Sequence, residues 1–222
     1  MTSTARGIGL DGLRNEVEQL LVDAPVGEPL TPMTRSLVEY GVRSSVTILD
    51  LAGARISASA ALDAGATPGQ LHEVLALVSG LGVHTLMEGS RDLADLLTSR
   101  GDALPEIDEH RSDLRHQLLG PARSFWDVFE SHVPGFLDAV LRLSPEAFEG
   151  FVSYGAIPAR TRQLRPVVKE IVSVALDALP NHRYLPGLRL HLATALKLGA
   201  GRTEIIEAID LAAAAPAPPG VG

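Results

Sequence analysis

The sequence predicts an all-α protein, and three observations support that prediction. Apolar residues recur with helical spacing through most of the chain, and glycines and prolines interrupt them at helix-length intervals. No runs of alternating polar and apolar residues are joined by hairpin turns. The composition is that of a globular protein, with 45% hydrophobic and 21% charged residues in 222. We therefore expect a set of short helices packed around an apolar core.

The clearest helix of the first half begins at Thr67 and Pro68. This pair supplies an N-cap and a proline at the first helical position, and apolar residues follow at 71, 74, 75 and 78. A second segment is Ala-rich and stops at Gly65, which is a favourable residue after a helix end. The predicted helices of this half cover 34–51, 54–64, 68–80 and 83–98.

The middle of the chain, 99–122, is polar and bounded by glycine and proline, so it predicts a linker with one short helix. The last ten residues, AAAPAPPGVG, are of low complexity and predict a disordered tail. The predicted helices of the second half cover 123–132, 134–142, 144–154, 166–179, 185–198 and 203–213.

An internal repeat relates the two halves at a shift of 134 residues. Twelve of the 49 residue pairs between 30–78 and 164–212 are identical without a gap, including pairs of Pro, Gly and Arg. Unrelated chains would give roughly a third of that number. A three-helix unit of about 50 residues buries too little apolar surface to be stable alone. We therefore expect two tandem repeats packed as a pseudo-dimer about a two-fold axis.

The repeat sets the predicted organisation of the chain. The expected boundaries are 1–100 for a degenerate first copy, 101–122 for the linker, 123–214 for the second copy and 215–222 for the disordered tail.

The second copy contains a recognisable pattern. Glu170 lies near the start of one helix, the next helix carries HLATALKLGA from His191 to Ala200, and EIIEAI follows from Glu204. This pattern resembles the carboxymuconolactone decarboxylase family, which includes the AhpD-like peroxidases. The resemblance implies an AhpD-like helical bundle and a homo-oligomer, because members of this family are usually oligomeric.

Two departures from the family pattern restrict the chemistry. The peroxidase branch carries Cys-x-x-Cys-x-x-x-His, but the two cysteine positions fall here on Tyr184 and Gly187, and the chain has no cysteine. Thiol peroxidase, disulfide, zinc–thiolate and iron–sulfur chemistry are therefore excluded. In the first copy the Glu and His positions fall on Ser36 and Ser57, so we expect that copy to be a structural partner.

The predicted catalytic residues are His191, Glu170 and Tyr184. Tyr184, Gly187 and His191 share one helix face, and Gly187 is expected to leave a hollow beside the imidazole for a small molecule. Glu170 can orient the imidazole or share its proton. The structural alternatives are a half-buried histidine bonded to a carboxylate, and a glutamate that favours the helix dipole near an N-terminus.

The predicted substrate-binding residues are Gly187, Arg160, Arg162 and His182. Two guanidinium groups in the loop before the second copy can clamp a carboxylate, although solvated loop charges are the commoner case. Packing or capping explains His182 equally well. No histidine and carboxylate pair has a typical metal-binding spacing, so we expect no metal.

The residues and the resemblance together predict a lyase or isomerase that needs no cofactor and acts on a small carboxylate or lactone. The alternative is a non-catalytic ligand-binding or scaffold protein that kept the fold and lost the chemistry. The formal charge of -8 argues against nucleic-acid binding. No membrane span and no secretory signal are recognisable, so we expect a cytoplasmic protein.

Overall fold

Helices form all of the regular structure in residues 8–219, which are the residues that the computed structural model describes. The predicted all-α class is confirmed. Within this part of the chain, none of the helices is both long and apolar enough to span a bilayer. The helices are α1 Leu10–Leu20, α2 Pro32–Ser44, α3 Leu51–Asp63, α4 Pro68–Ser79, α5 Val83–Arg100, α6 Glu109–Leu119, α7 Arg123–His132, α8 Phe136–Leu143, α9 Pro145–Gly155, α10 Ile157–Thr161, α11 Pro166–Asp177, α12 Leu185–Lys197 and α13 Arg202–Ala213.

The predicted helix over 34–51 is wrong in its last third. The helix α2 ends at Ser44, and the chain turns through Leu49, which has a left-handed φ of 50°. Asp50 then begins α3 by accepting a hydrogen bond from the Gly53 N–H at 2.9 Å. Ile48 lies in the turn and is 2% exposed. Its apolar side chain continues the helical spacing in the sequence, which is why a longer helix is predicted there. The helices α1 and α10 have no counterpart among the predicted ones.

Internal contacts divide the chain into two units. Unit 1 consists of the described residues of 1–79 and 163–222, and unit 2 consists of 80–162. The boundaries predicted from the sequence lie elsewhere, at 100, 122 and 214. In the predicted tail, 215–219 contain no helix, whereas 220–222 lie outside the described residues, as do the first seven residues of the predicted first copy.

Unit 1 is built around two central helices, α2 and α11. The helix α11 is the more buried of the two, with eight of its twelve residues in the core, and it packs against α12, α13, α2 and α4. The helix α2 in turn packs against α3, α4, α13 and α11. The two helices therefore have corresponding neighbours.

The helices of the two repeated segments begin at corresponding residues. The starts of α2 and α11, of α3 and α12, and of α4 and α13 are each 134 residues apart. The backbone agrees as well, because Leu49 and Arg183 have φ values of 50° and 48°, and Gly65 and Gly199 both have 94°. Left-handed backbone is uncommon for residues other than glycine, so the first agreement is informative.

Two ion pairs link the repeated segments reciprocally. Glu73 Oε1 of α4 forms an ion pair with Lys169 Nζ of α11 at 2.5 Å, and Glu207 of α13 accepts from Arg35 Nη2 of α2 at 3.0 Å. At the shift of 134, Glu73 corresponds to Glu207 and Arg35 to Lys169. Such an exchange of equivalent contacts is the pattern of a two-fold interface. It supports the predicted pseudo-dimer, which stays a prediction.

Unit 2 contains α5 to α10 and has an aromatic core. Trp126 and Phe129 of α7 meet Phe136 of α8 and Phe151 of α9, with ring centroids between 5.0 and 6.2 Å apart. The helix α6, which lies inside the predicted linker, packs against α8 and α9. Arg111 strengthens that packing by donating from Nε to the Leu141 carbonyl at 3.3 Å.

Candidate functional site

The candidate site of unit 1 is centred on a hydrogen bond between two neighbouring helices. Glu170 Oε2 of α11 lies 2.7 Å from His191 Nδ1 of α12. The exposed fractions of the two side chains are 21% and 30%. The pair is therefore shielded from most water but remains reachable from solvent, which is the position that proton exchange with a ligand requires.

The ionisation of His191 is set by opposing effects. Burial by itself lowers the pKa of His191, but the hydrogen bond to Glu170 and the charges of Asp177 and Glu170 raise it more. The net result is a pKa above the ordinary histidine value. Because Nδ1 is held by Glu170, proton exchange with a ligand would take place at Nε2.

A third ionisable group, Asp177, was not predicted from the sequence. It is the last residue of α11, seven residues after Glu170 and on the same helix face, and it is 2% exposed. Burial and the Glu170 charge raise the pKa of Asp177 to about 7, although the His191 charge lowers it. An aspartate at a helix C-terminus also faces the negative end of the dipole, and this position was the signal available in the sequence.

The space beside Gly187 is filled, so the predicted hollow is wrong. A Cβ atom at this position would lie 2.5 Å from Asp177 Oδ2 and 2.9 Å from Tyr184 Cδ1. The missing side chain therefore admits the Asp177 carboxyl and the Tyr184 ring against α12, one turn before His191. The role of Gly187 in substrate binding stays a prediction.

Tyr184 and His182 lie in the connection between α11 and α12. The Tyr184 N–H donates to the Asp177 carbonyl at 2.9 Å, which closes this connection just before α12 begins. The His182 ring lies 5.8 Å from the Tyr184 ring, and its Nε2 lies 3.9 Å from Asp177 Oδ1. Burial lowers the pKa of His182, so this histidine is neutral at pH 7. The structure thus brings both residues to the same cluster.

Arg160 and Arg162 belong to unit 2. Arg160 lies in the short helix α10, and Arg162 follows it with a left-handed φ of 50°. Both are exposed, and Arg162 Nε donates to the Ala159 carbonyl at 3.4 Å. Their predicted role in binding a carboxylate stays a prediction.

The corresponding positions of the first copy carry no acid–base pair. Ser36, Arg43 and Ser57 stand where the second copy has Glu170, Asp177 and His191. Arg43 forms an ion pair with Asp50 beside Gly53, and Ser57 is 4% exposed. The space over this glycine thus holds a fixed ion pair, which supports a structural role for the first copy.

The cluster of Glu170, Asp177 and His191 is suited to moving protons. A hydrogen-bonded carboxylate fixes the imidazole in one tautomer and stabilises its protonated form. A second carboxyl group with a pKa of about 7 can gain or lose a proton near neutrality. No sulfur nucleophile contributes, because the chain has no cysteine.

Comparisons with known proteins agree on one family. Residues 145–220 match the model of the Carboxymuconolactone decarboxylase family. The fold is similar to the crystal structure described as a "putative gamma-carboxymuconolactone decarboxylase subunit" from Burkholderia xenovorans. That likeness has a TM-score of 0.69 and 28% sequence identity, and it covers 94% of this chain and 91% of the other. No curated protein sequence matches the chain.

Proposed function

We propose that this chain, which is similar to the carboxymuconolactone decarboxylase family, is a cofactor-independent lyase or isomerase acting on a small carboxylate or lactone. The observation that carries the proposal is the half-buried Glu170–His191 hydrogen bond of 2.7 Å, within the segment that matches the family model. A proton-transfer pair in that position supports catalysis rather than packing alone.

The proposed chemistry is delivery of a proton to carbon. In a decarboxylation, the bond from carbon to the carboxylate breaks, CO2 leaves, and the electron pair stays on the substrate as an enolate. His191 then donates a proton from Nε2 to that carbon, and Glu170 stabilises the imidazolium before transfer. Tyr184 is proposed to stabilise the enolate oxygen through its hydroxyl group. An isomerisation would use the same pair to remove a proton and return it.

Assembly into a homo-oligomer is part of the proposal. The similar protein from Burkholderia xenovorans is described as a subunit, and the family resemblance implies oligomers. Light scattering is expected to give a mass that is a multiple of 23.5 kDa. A strict monomer at micromolar concentration would contradict this part of the proposal.

The test of catalysis is turnover of gamma-carboxymuconolactone and related lactone carboxylates, followed by CO2 release. We expect the wild-type protein to release CO2 and Glu170→Gln to do so about 10²-fold more slowly, because the imidazole loses its charged partner. Ser36→Ala, at the equivalent position of the first copy, is the matched control and should keep the wild-type rate.

The same compounds distinguish the alternative function. Ligands that bind the folded state raise its melting temperature by mass action. Compounds that raise the melting temperature without being converted would overturn the enzymatic proposal and support a non-catalytic ligand-binding protein.

A further inference from the structure

Two helices present four residues to each other as two matched pairs. Glu170 and Asp177 lie seven residues apart on one face of α11, and Gly187 and His191 lie four residues apart on α12. Glu170 meets His191, and the Asp177 carboxyl meets the bare backbone of Gly187. Residues four apart on a helix have Cβ atoms about 6 Å apart. The Asp177 carboxyl therefore lies against α12 one helical turn before His191.

Gly187 is what permits this arrangement. A methyl group there would come within 2.5 Å of Asp177 Oδ2, which is closer than real Cβ contacts allow. The connection between the helices holds the other side, because the Tyr184 N–H donates to the Asp177 carbonyl at 2.9 Å. The backbone of Asp177 is thus held by a hydrogen bond, and its carboxyl group is packed against Gly187 in a residue that is 2% exposed.

We propose that Asp177 is a positioning residue for His191, so that two carboxyl groups rather than one act on the imidazole. This inference rests on the proposed function for its purpose, since the ionised form of a second carboxyl group stabilises the protonated imidazole that is ready to donate. In this role Asp177 acts on His191 by its charge at short range, and Gly187 is the residue that admits it.

The ionisable groups around Asp177 within unit 1 favour this role. Glu170 on its own helix is an acid and adds a like charge, which opposes ionisation of Asp177. His182, with Nε2 at 3.9 Å, has a pKa lowered by burial and carries no charge at pH 7. Tyr184 contributes a backbone donor and an aromatic ring. Among these groups, His191 is the cation that the Asp177 charge can stabilise.

The test is an NMR titration of the His191 imidazole in the full chain, which needs no substrate. The protein is labelled with 15N-histidine, and the resonance of His191 is assigned by its loss in His191→Gln. The pKa of His191 is compared in the wild type, Asp177→Asn and Gly187→Ala. Asp210→Asn, which removes a charge from an exposed residue of α13, is the matched control.

Asp177→Asn is expected to lower the pKa of His191 by about one unit, because a nearby negative charge is lost. Gly187→Ala is expected to lower it as well, because the added methyl group displaces the carboxyl. Asp210→Asn should leave it unchanged. An unchanged pKa of His191 in Asp177→Asn would overturn the inference. If Asp177→Asn does not fold, an unchanged pKa of His191 in Gly187→Ala would overturn it instead.

The two proposals fail in distinguishable ways. If the wild type converts no lactone carboxylate but Asp177→Asn lowers the pKa of His191, the proposed function fails and the positioning role stands. If Glu170→Gln abolishes turnover while Asp177→Asn changes neither the pKa of His191 nor the pH profile of turnover, the positioning role fails.

Discussion

Replacement of Asp177 by Asn should change how the stability of the protein depends on pH. The folded state raises the pKa of Asp177 to about 7 from 3.8, chiefly by burial. Between these values the folded protein keeps a proton that the unfolded chain has lost. The free energy of unfolding therefore falls as the pH rises through this window, because unfolding releases a proton.

The magnitude follows from the size of the shift. One pKa unit corresponds to about 1.4 kcal/mol, so the full shift of Asp177 costs about 4 kcal/mol at pH 7 and above. About 3 kcal/mol of this cost is incurred above pH 5, where the unfolded chain is already ionised. The raised pKa of His191 acts in the same direction, because its stabilising contribution is present below its unfolded value and is lost at higher pH.

Urea denaturation at about pH 5 and about pH 8 measures the effect. The stability of Asp177→Asn relative to the wild type, measured as the difference between their free energies of unfolding, should be about 3 kcal/mol higher at the higher pH than at the lower one. Asp210→Asn is the control, since Asp210 is exposed. A difference between Asp177→Asn and the wild type that is the same at both pH values would refute the reasoning.

The structure makes three further predictions. Gly187→Ala should lower stability by about 1–3 kcal/mol, because its methyl group overlaps the Asp177 carboxyl; an unchanged melting temperature would contradict that overlap. Glu73→Gln should lower the free energy of unfolding by about 3–5 kcal/mol, because it breaks a buried ion pair with Lys169. Glu207→Gln, in the more exposed equivalent pair, should lower it by about 1 kcal/mol. Equal losses in urea denaturation would be inconsistent with the different burial of the two pairs. The protein should show no dithiol-dependent peroxidase activity, because it lacks cysteine, and steady peroxide turnover with a dithiol would disprove this.

The helices were largely predictable because their starts carry local signals. Pro68 and Pro166 stand at the first positions of α4 and α11, and Ser144 caps α9 by accepting from the Ala147 N–H at 3.1 Å. The turn at 45–50 was not predictable in this way. Its buried Ile48 continued the helical period, and the left-handed Leu49 carries no sequence mark.

The Glu170–His191 pair was predictable through the family resemblance, and the geometry brings the two side chains into a hydrogen bond. The surroundings of the pair were not predictable, because they depend on what packs across from each residue. The sequence of α12 alone predicts an open hollow at Gly187, whereas the carboxyl group that fills it belongs to Asp177 at the end of α11. Asp177 was not predictable for the same reason, because in the sequence it is one acid at the end of an apolar helix.

The catalytic role of His191 is tested most directly by comparing the turnover of two variants at equivalent positions of the repeat. His191→Ala removes the proposed proton donor, and Ser57→Ala alters the buried residue that takes its place in the first copy. With the same lactone carboxylate, His191→Ala should reduce the rate of CO2 release by about 10²–10⁴-fold while Ser57→Ala changes it little. A His191→Ala protein that releases CO2 at the wild-type rate would contradict the central claim.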